Sequence, residues 1–248
     1  MIDPIAKKQQ EYYEKTAAEY QRMHVNAGDK HYRALSYIAA MSGVWGISSF
    51  LDVGCGTGRA VQFLHERAFH VRGVEPVGAL IEQAITDRPI LREFIQCARG
   101  ESLPFPDASF DTVCEFGMLH HVRSPELVIQ EMLRVARKAV FLSDANRFGQ
   151  GRIPLRILKL LLSKAGVWPV ANLIKTRGKI YSYSEGDGFF YSYSVYDSLV
   201  QVAKWAEDAY ILPLMPQRSG SWYQPLLTSE CVLLCAFRRI PDVSQPGS

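Results

Sequence analysis

Cysteine is scarce in this chain. The five residues Cys55, Cys97, Cys114, Cys231 and Cys235 are odd in number, form no CxxC pair and lie mostly in apolar runs. That excludes a disulfide framework and a cysteine-rich metal centre, and it points to reduced core thiols in a cytoplasmic protein. Charge of one sign is lacking too. The 28 Lys and Arg against 25 Asp and Glu leave only +3, a weak drive toward nucleic acid. No run of about 20 mostly apolar residues reads as a membrane span, and the opening MIDPIAKKQQ does not read as a secretion signal. Repeats are missing apart from Tyr-Ser-Tyr-Ser at 181–184 and again at 191–194, and two copies make no solenoid. What the 248 residues do have is apolar content: 48% are hydrophobic and 21% charged. A chain of that kind folds, and its length suits a single α/β domain.

The hydropathy pattern changes along the chain. Residues 4–24 and 30–44 carry helical spacing, broken near Asn26–Gly28 by turn formers. Short apolar runs at 48–53, 70–74, 91–97, 110–115 and 139–143 then alternate with helical segments at 58–67, 77–85 and 125–135. Such alternation predicts a doubly wound, mostly parallel sheet. Residues 151–193 interrupt it with very apolar helical stretches at 153–162 and 167–175, then two aromatic-serine arms at 179–184 and 189–194 flanking Glu185-Gly186-Asp187-Gly188. Those arms predict a hairpin. A helix at 195–205 and strands at 209–215 and 230–239 follow. With no helix between them, the last two strands should pair antiparallel. The division expected is a helical lid at 1–45, a core at 46–150, an insertion over a second site at 151–193 and the rest of the sheet at 194–240, with a frayed tail beyond.

The strongest constellation is Phe50-Leu-Asp-Val-Gly-Cys-Gly-Thr-Gly-Arg59, a strand, three alternating glycines and a helix start. Glycines there let the backbone turn tightly and approach a ligand closely. Glu75 ends the next strand, where a carboxylate accepts hydrogen bonds from ribose hydroxyls.

The segment 50–58 resembles the first motif of class I S-adenosylmethionine-dependent methyltransferases, in which an acidic and an apolar residue precede GxGxG. Asp52 matches the acid and Glu75 the ribose-binding acid. Leu103-Pro-Phe-Pro-Asp-Ala-Ser-Phe-Asp111, Leu119-His120-His121-Val122 and Tyr13-Glu-Lys-Thr-Ala17-Ala-Glu-Tyr20 resemble further segments of the small-molecule (type 11/25-like) branch. The resemblance implies a Rossmann-like seven-stranded sheet with an antiparallel last strand. It implies S-adenosyl-L-methionine as cofactor, held by Tyr13, Tyr20, Asp52, Gly54, Cys55, Gly56, Gly58, Glu75, Pro76, Gly100, Glu101 and Phe116. One departure stands out: Arg99 occupies the place of the acid that usually contacts the adenine amino group.

Methyl transfer from a sulfonium needs the acceptor held in line and water excluded. His120, after the fourth strand, is the expected base, with Asp144 as the alternative. His121, Asn146, Arg147, Tyr183 and Tyr193 are expected at the acceptor, and no metal is. Tyr12, Tyr13 and Tyr20 read either as an aromatic lid or as an ordinary amphipathic helix face. The apolar 153–162 stretch with Arg152, Arg156 and Lys159 also suits a lipid surface. Two rivals remain. An NAD-dependent oxidoreductase needs a dinucleotide glycine spacing that Arg59 and Ala60 do not supply, and a non-catalytic methyltransferase-like subunit would keep the fold alone. Nucleic-acid acceptors lack their Pro-Cys or Asn/Asp-Pro-Pro-aromatic motifs. The expectation is a small-molecule methyltransferase, monomer or homodimer, without integral membrane contact.

Overall fold

A computed structural model describes residues 3–20, 29–215 and 223–238. The turn near Asn26–Gly28 and the tail beyond 240 lie outside the described residues. In chain order the elements are α1 (Pro4–Thr16), α2 (Lys30–Val44), β1 (Ser49–Val53), α3 (Arg59–His65), β2 (His70–Glu75), α4 (Gly78–Asp87), β3 (Ile95–Cys97) and β4 (Phe110–Phe116). Then come α5 (Pro125–Val135), β5 (Ala136–Ala145), α6 (Ile153–Lys164), α7 (Trp168–Lys175), β6 (Tyr181–Ser184), β7 (Gly188–Tyr191), α8 (Val195–Ala203), β8 (Asp208–Pro213) and β9 (Cys231–Phe237).

Seven strands form one sheet in the order β3-β2-β1-β4-β5-β9-β8. β1, β2, β3, β4 and β5 run parallel, while β9 lies antiparallel between β5 and β8. This is the Rossmann-like order expected, with the last strand reversed. β9 is buried along its whole length, which is why 231–237 reads as an unbroken apolar run rather than an alternating one. On one face Leu35, Ile38, Leu64, Phe141 and Phe237 pack together. On the other, Val128, Ile129 and Met132 of α5 meet Val202 of α8. The strand expected at 91–97 is shorter. Pro89 opens a 3-10 turn through Glu93, and only Ile95–Cys97 pairs with β2.

The chain reverses its direction of growth between β1 and β4, and the crevice outside their carboxyl ends is where such sheets bind ligands. Residues 151–193 leave that edge after β5. They form α6, α7 and an antiparallel β6–β7 hairpin whose partners are Tyr181 with Tyr191, Ser182 with Phe190 and Tyr183 with Phe189. The hairpin is tied to α1. Gln9 Nε2 donates to the Asp187 carbonyl at 3.1 Å, the Phe189 amide donates to Gln9 Oε1, Tyr12 Oη donates to the Glu185 carbonyl at 2.6 Å, and Tyr191 Oη donates to Asp3 Oδ2 at 2.7 Å. The N-terminal helix and the insertion therefore make one roof over the carboxyl edge.

Candidate functional site

The loop after β1 is built on positive φ at Gly54, Gly56 and Gly58, of 73°, 54° and 77°. The carboxylate of Glu75 fixes it, accepting from the Gly56 amide at 2.9 Å and from the Val77 amide at 3.0 Å. Burial pushes the Glu75 carboxyl up to about 7 and the Asp52 carboxyl also up to about 7. Two buried polar atoms beside the loop, Asp52 Oδ1 and Thr57 Oγ1, have no partner among the described residues. A buried polar atom left without a hydrogen bond is costly, so this end of the loop is shaped for a polar guest. Both atoms belong to residues lining a small space shared with Tyr20, Gly54, Arg59 and Phe116.

Two larger cavities meet above the sheet. The first, of about 430 Å³, runs over Glu75, Pro76, Val77 and Leu80 and reaches Arg99, Gly100 and Glu101. The second, of about 660 Å³, lies between the sheet edge and the roof and is lined by Lys30, His31, His120, Asp187, Phe190 and Tyr193 among others. Tyr13, Tyr20, Phe116, Gly117 and His121 line both. Cys55 and Gly58 lie at the loop outside the first cavity. Cys55 lines the small space, and a Cβ at Gly58 would meet Leu91 and Ile95 of the core. The 99–102 loop closes on itself through an Arg99–Ser102 bridge. The carboxylate it brings to the cavity is Glu101, beside Arg99 at 3.5 Å.

The two histidines differ sharply in state. His121 Nδ1 lies 2.7 Å from the Phe189 carbonyl, which only accepts, so Nδ1 carries the proton and Nε2 accepts from Tyr13 Oη at 3.1 Å. Burial and the neighbouring His120 charge lower its pKa. His120 Nδ1 lies 2.6 Å from Asp144 Oδ1, and Nε2 lies 3.3 Å from Asp187 Oδ2. Burial favours its neutral form, but the two carboxylates outweigh burial and lift it to about 10. Asp187 Oδ1 also stands 3.5 Å from His121 Nε2. His120, His121 and Asp187 bring their ligand atoms within 4.8 Å of one another, and the ion pair among them is His120 with Asp187.

Several residues expected at the site face elsewhere. Asp144 does not line either large cavity. Burial would raise its carboxyl, yet the His120 imidazolium holds it at about 2 and its oxygens accept from the His120 ring and amide. It therefore acts on His120 and is not an alternative base. Asn146 is fully buried, donating to the Leu226 and Ser229 carbonyls while its Oδ1 accepts from Phe148 N and Ser194 Oγ. No polar atom of its side chain is left for an acceptor. Arg147 touches the second cavity, but its guanidinium is engaged with Asp197, the Ser192 carbonyl and Ser163 Oγ, so it anchors the insertion. Tyr193 lines the cavity with its ring while Oη pairs with Ser198 Oγ at 2.7 Å. Tyr183 shares with Phe189 and Tyr181 the hairpin face that packs against Tyr12 of α1, and it lines neither large cavity. Alternation then turns Ser182, Ser184 and Phe190 toward the cavity.

Sequence reasoning missed Asp187, His31, Gln9 and Lys30. Asp187 sat in a Gly-rich turn signal that speaks only of backbone. His31 is buried in α2, its Nδ1 2.9 Å from Ser143 Oγ, and nothing in an amphipathic helix pattern sets it apart.

Residues 51–143 match the family model described as "Methyltransferase domain". The 27-O-demethylrifamycin SV methyltransferase of Amycolatopsis mediterranei (strain S699) is 31% identical over 135 residues, 52% of this chain and 45% of that protein. The phosphatidylethanolamine N-methyltransferase of Cereibacter sphaeroides is 30% identical over 119 residues, 46% of this chain and 58% of that protein. The chain thus spans about half the length of the curated relatives it matches. Among solved structures, magnesium protoporphyrin IX methyltransferase from Synechocystis PCC 6803, with bound SAH, superposes with a TM-score of 0.58 at 15% identity, covering 93% of this chain and 98% of that one. That likeness shows the fold.

Proposed function

We propose that this chain, whose residues 51–143 match the methyltransferase-domain model, is a class I S-adenosylmethionine-dependent enzyme that moves a methyl group onto an oxygen or nitrogen of a small organic acceptor. The observation that carries the reading is the shared wall. Two cavities, one over Glu75 and one over His120, meet at Tyr13, Tyr20, Phe116, Gly117 and His121. A group-transfer enzyme needs donor and acceptor sites that touch at one place.

The residues fit the donor. Asp52 and Thr57 present unpartnered buried oxygens suited to its amino-acid end. Glu75 keeps lone pairs for ribose hydroxyls, and Pro76, Val77 and Leu80 give an apolar bed for a base. S-adenosylmethionine supplies an electrophilic methyl on a positive sulfur. Tyr13, Tyr20 and Phe116 surround the junction with aromatic faces, which attract a cation and keep water out.

On the acceptor side, Phe190 and Tyr193 provide ring surface beside Lys30 and His120. Asp144 holds the His120 ring with Nδ1–H toward the carboxylate, so Nε2 is the atom that faces an acceptor. Asp187 stands on that nitrogen from the hairpin. An acceptor hydroxyl or amine that takes the place of Asp187 meets Nε2 directly, and the loss of one carboxylate lowers the ring's pKa toward the working range of a base. Asp144 is then a positioning residue. The relatives named above carry one O- and one N-acceptor in their names, which agrees with an acceptor of either kind.

The reading is tested with tritium-labelled donor and a panel of phenols, carboxylic acids and amines of mixed polarity. Label should pass to at least one acceptor class with stoichiometric release of S-adenosylhomocysteine. A protein that binds the donor tightly yet labels none of them would overturn the transferase reading in favour of a binding subunit.

A further inference from the structure

The insertion helices are inside out. Neither α6 nor α7 has a single buried residue, and three of their polar side chains point at the protein. Arg156 donates to the Gly151 and Leu227 carbonyls, Lys159 to the Arg147 and Gln150 carbonyls, and Trp168 Nε1 to Ser192 Oγ. The side left outward is apolar: Ile153, Leu155, Leu161, Val170 and Ile174 are each more than half exposed. A monomer gains nothing by presenting so many large apolar side chains to water. Its charge is one-sided as well. Exposed Arg152, Lys164, Lys175, Arg177 and Lys179 flank it, and no Asp or Glu occurs anywhere from 151 to 180, although the whole chain is nearly neutral at +3.

We propose that this face docks on an anionic lipid surface, with the α6 and α7 apolar residues entering the headgroup boundary and the flanking Lys and Arg facing acidic headgroups. A large apolar face with a basic fringe and no acid is the pattern of a helix lying in the interfacial plane. A second copy of the chain fits worse, because a two-fold contact sets the basic fringe against itself. The position bears on function. Asn172 and Lys175 of α7 line the second cavity together with the hairpin, so the cavity is reached beside the docking face. Resting on the reading given under Proposed function, the acceptor class is then an amphiphile taken from the bilayer. Docking itself stands apart from transfer, and it is measured without cofactor or turnover.

The test is vesicle flotation with the full chain, using phosphatidylcholine alone or with about 30% phosphatidylglycerol. The chain should float with the acidic vesicles, stay behind with phosphatidylcholine alone, and be released by salt. Leu161→Glu and Ile174→Glu should each cut vesicle binding roughly tenfold or more, with S-adenosylhomocysteine affinity unchanged. Val200→Glu, an exposed apolar position on α8 away from the patch, should leave flotation as it was. Failure to float with acidic vesicles overturns the proposal. So does flotation indifferent to Leu161→Glu and Ile174→Glu, and so does a dimer that Ile174→Glu dissociates in a chain that never floats.

Discussion

Gly56→Val abolishes cofactor binding and leaves the chain folded. Gly56 has a φ of 54°, a region that costs an L-residue roughly 1–2 kcal/mol and a β-branched one more. The three atoms nearest to an added Cβ all belong to Tyr20, with Oη at 3.0 Å and two ring carbons at 3.3 Å. Valine therefore displaces the aromatic wall shared by both cavities and fills the approach to the loop. Its amide is also the donor to Glu75 at 2.9 Å, so backbone movement there loosens the ribose acid. Affinity for S-adenosylhomocysteine should fall at least about a hundredfold by calorimetry, some 2.7 kcal/mol, with unchanged far-ultraviolet circular dichroism. Gly56→Ala should lie between. Gly58 makes a poorer probe, since a Cβ there lies 2.8 Å from Leu91 Cδ1 and 2.9 Å from Ile95 Cδ1 and would damage the core. Normal binding by Gly56→Val would remove the loop from the site.

His120→Ala lowers kcat by about 10² to 10⁴, the usual worth of a positioned base, for an acceptor that gives up a proton. Cofactor affinity stays as in the wild type, because His120 lines the second cavity and not the first. The pH profile identifies which histidine acts. His120 is held up to about 10 by Asp144 and Asp187 against the pull of burial. A base must be neutral, so kcat/KM, which reports the free enzyme, should rise with pH and level off only near that value, with about one ring in a hundred neutral two units below it. Asp187→Asn removes one of the carboxylates that favour the charged ring, so the rising limb should move to lower pH by a unit or more. His121 has its pKa lowered from the ordinary histidine value. If it were the base, the profile would be flat from neutrality upward and Asp187→Asn would leave it so. A His120→Ala enzyme with wild-type kcat would end the base assignment.

The sheet and the glycine loop fixed by Glu75 were legible because their demands are local. Three alternating glycines, an acid before them and an acid ending the next strand are requirements of backbone and ribose, and each falls within a few residues of chain. The acceptor side was not, because topology assembles it. His120 and Asp144 meet because β4 and β5 are neighbours in register, and Asp187 reaches them from a hairpin that α1 holds in place. Asn146 and Arg147 looked like acceptor ligands for the right reason, polar residues just past an apolar strand. Their side chains instead anchor the insertion and the segment before β9. Alternation put Tyr181 and Tyr183 on one hairpin face, but only the packing on α1 decides which face looks into the cavity. The same holds for α6 and α7. Periodicity reveals an apolar side and is silent on whether that side faces the core.

The most direct measurement is calorimetric titration of the wild-type chain with S-adenosylhomocysteine and, separately, NAD. Asp52 and Glu75 are each lifted to about 7 by burial, and both must ionise to hold the amino-acid end and the ribose. The account therefore predicts one site per chain with micromolar affinity for S-adenosylhomocysteine, tighter at pH 8 than at pH 6 with protons released on binding, and no heat from NAD. Saturable NAD binding with none of the adenosyl ligand at either pH would contradict it.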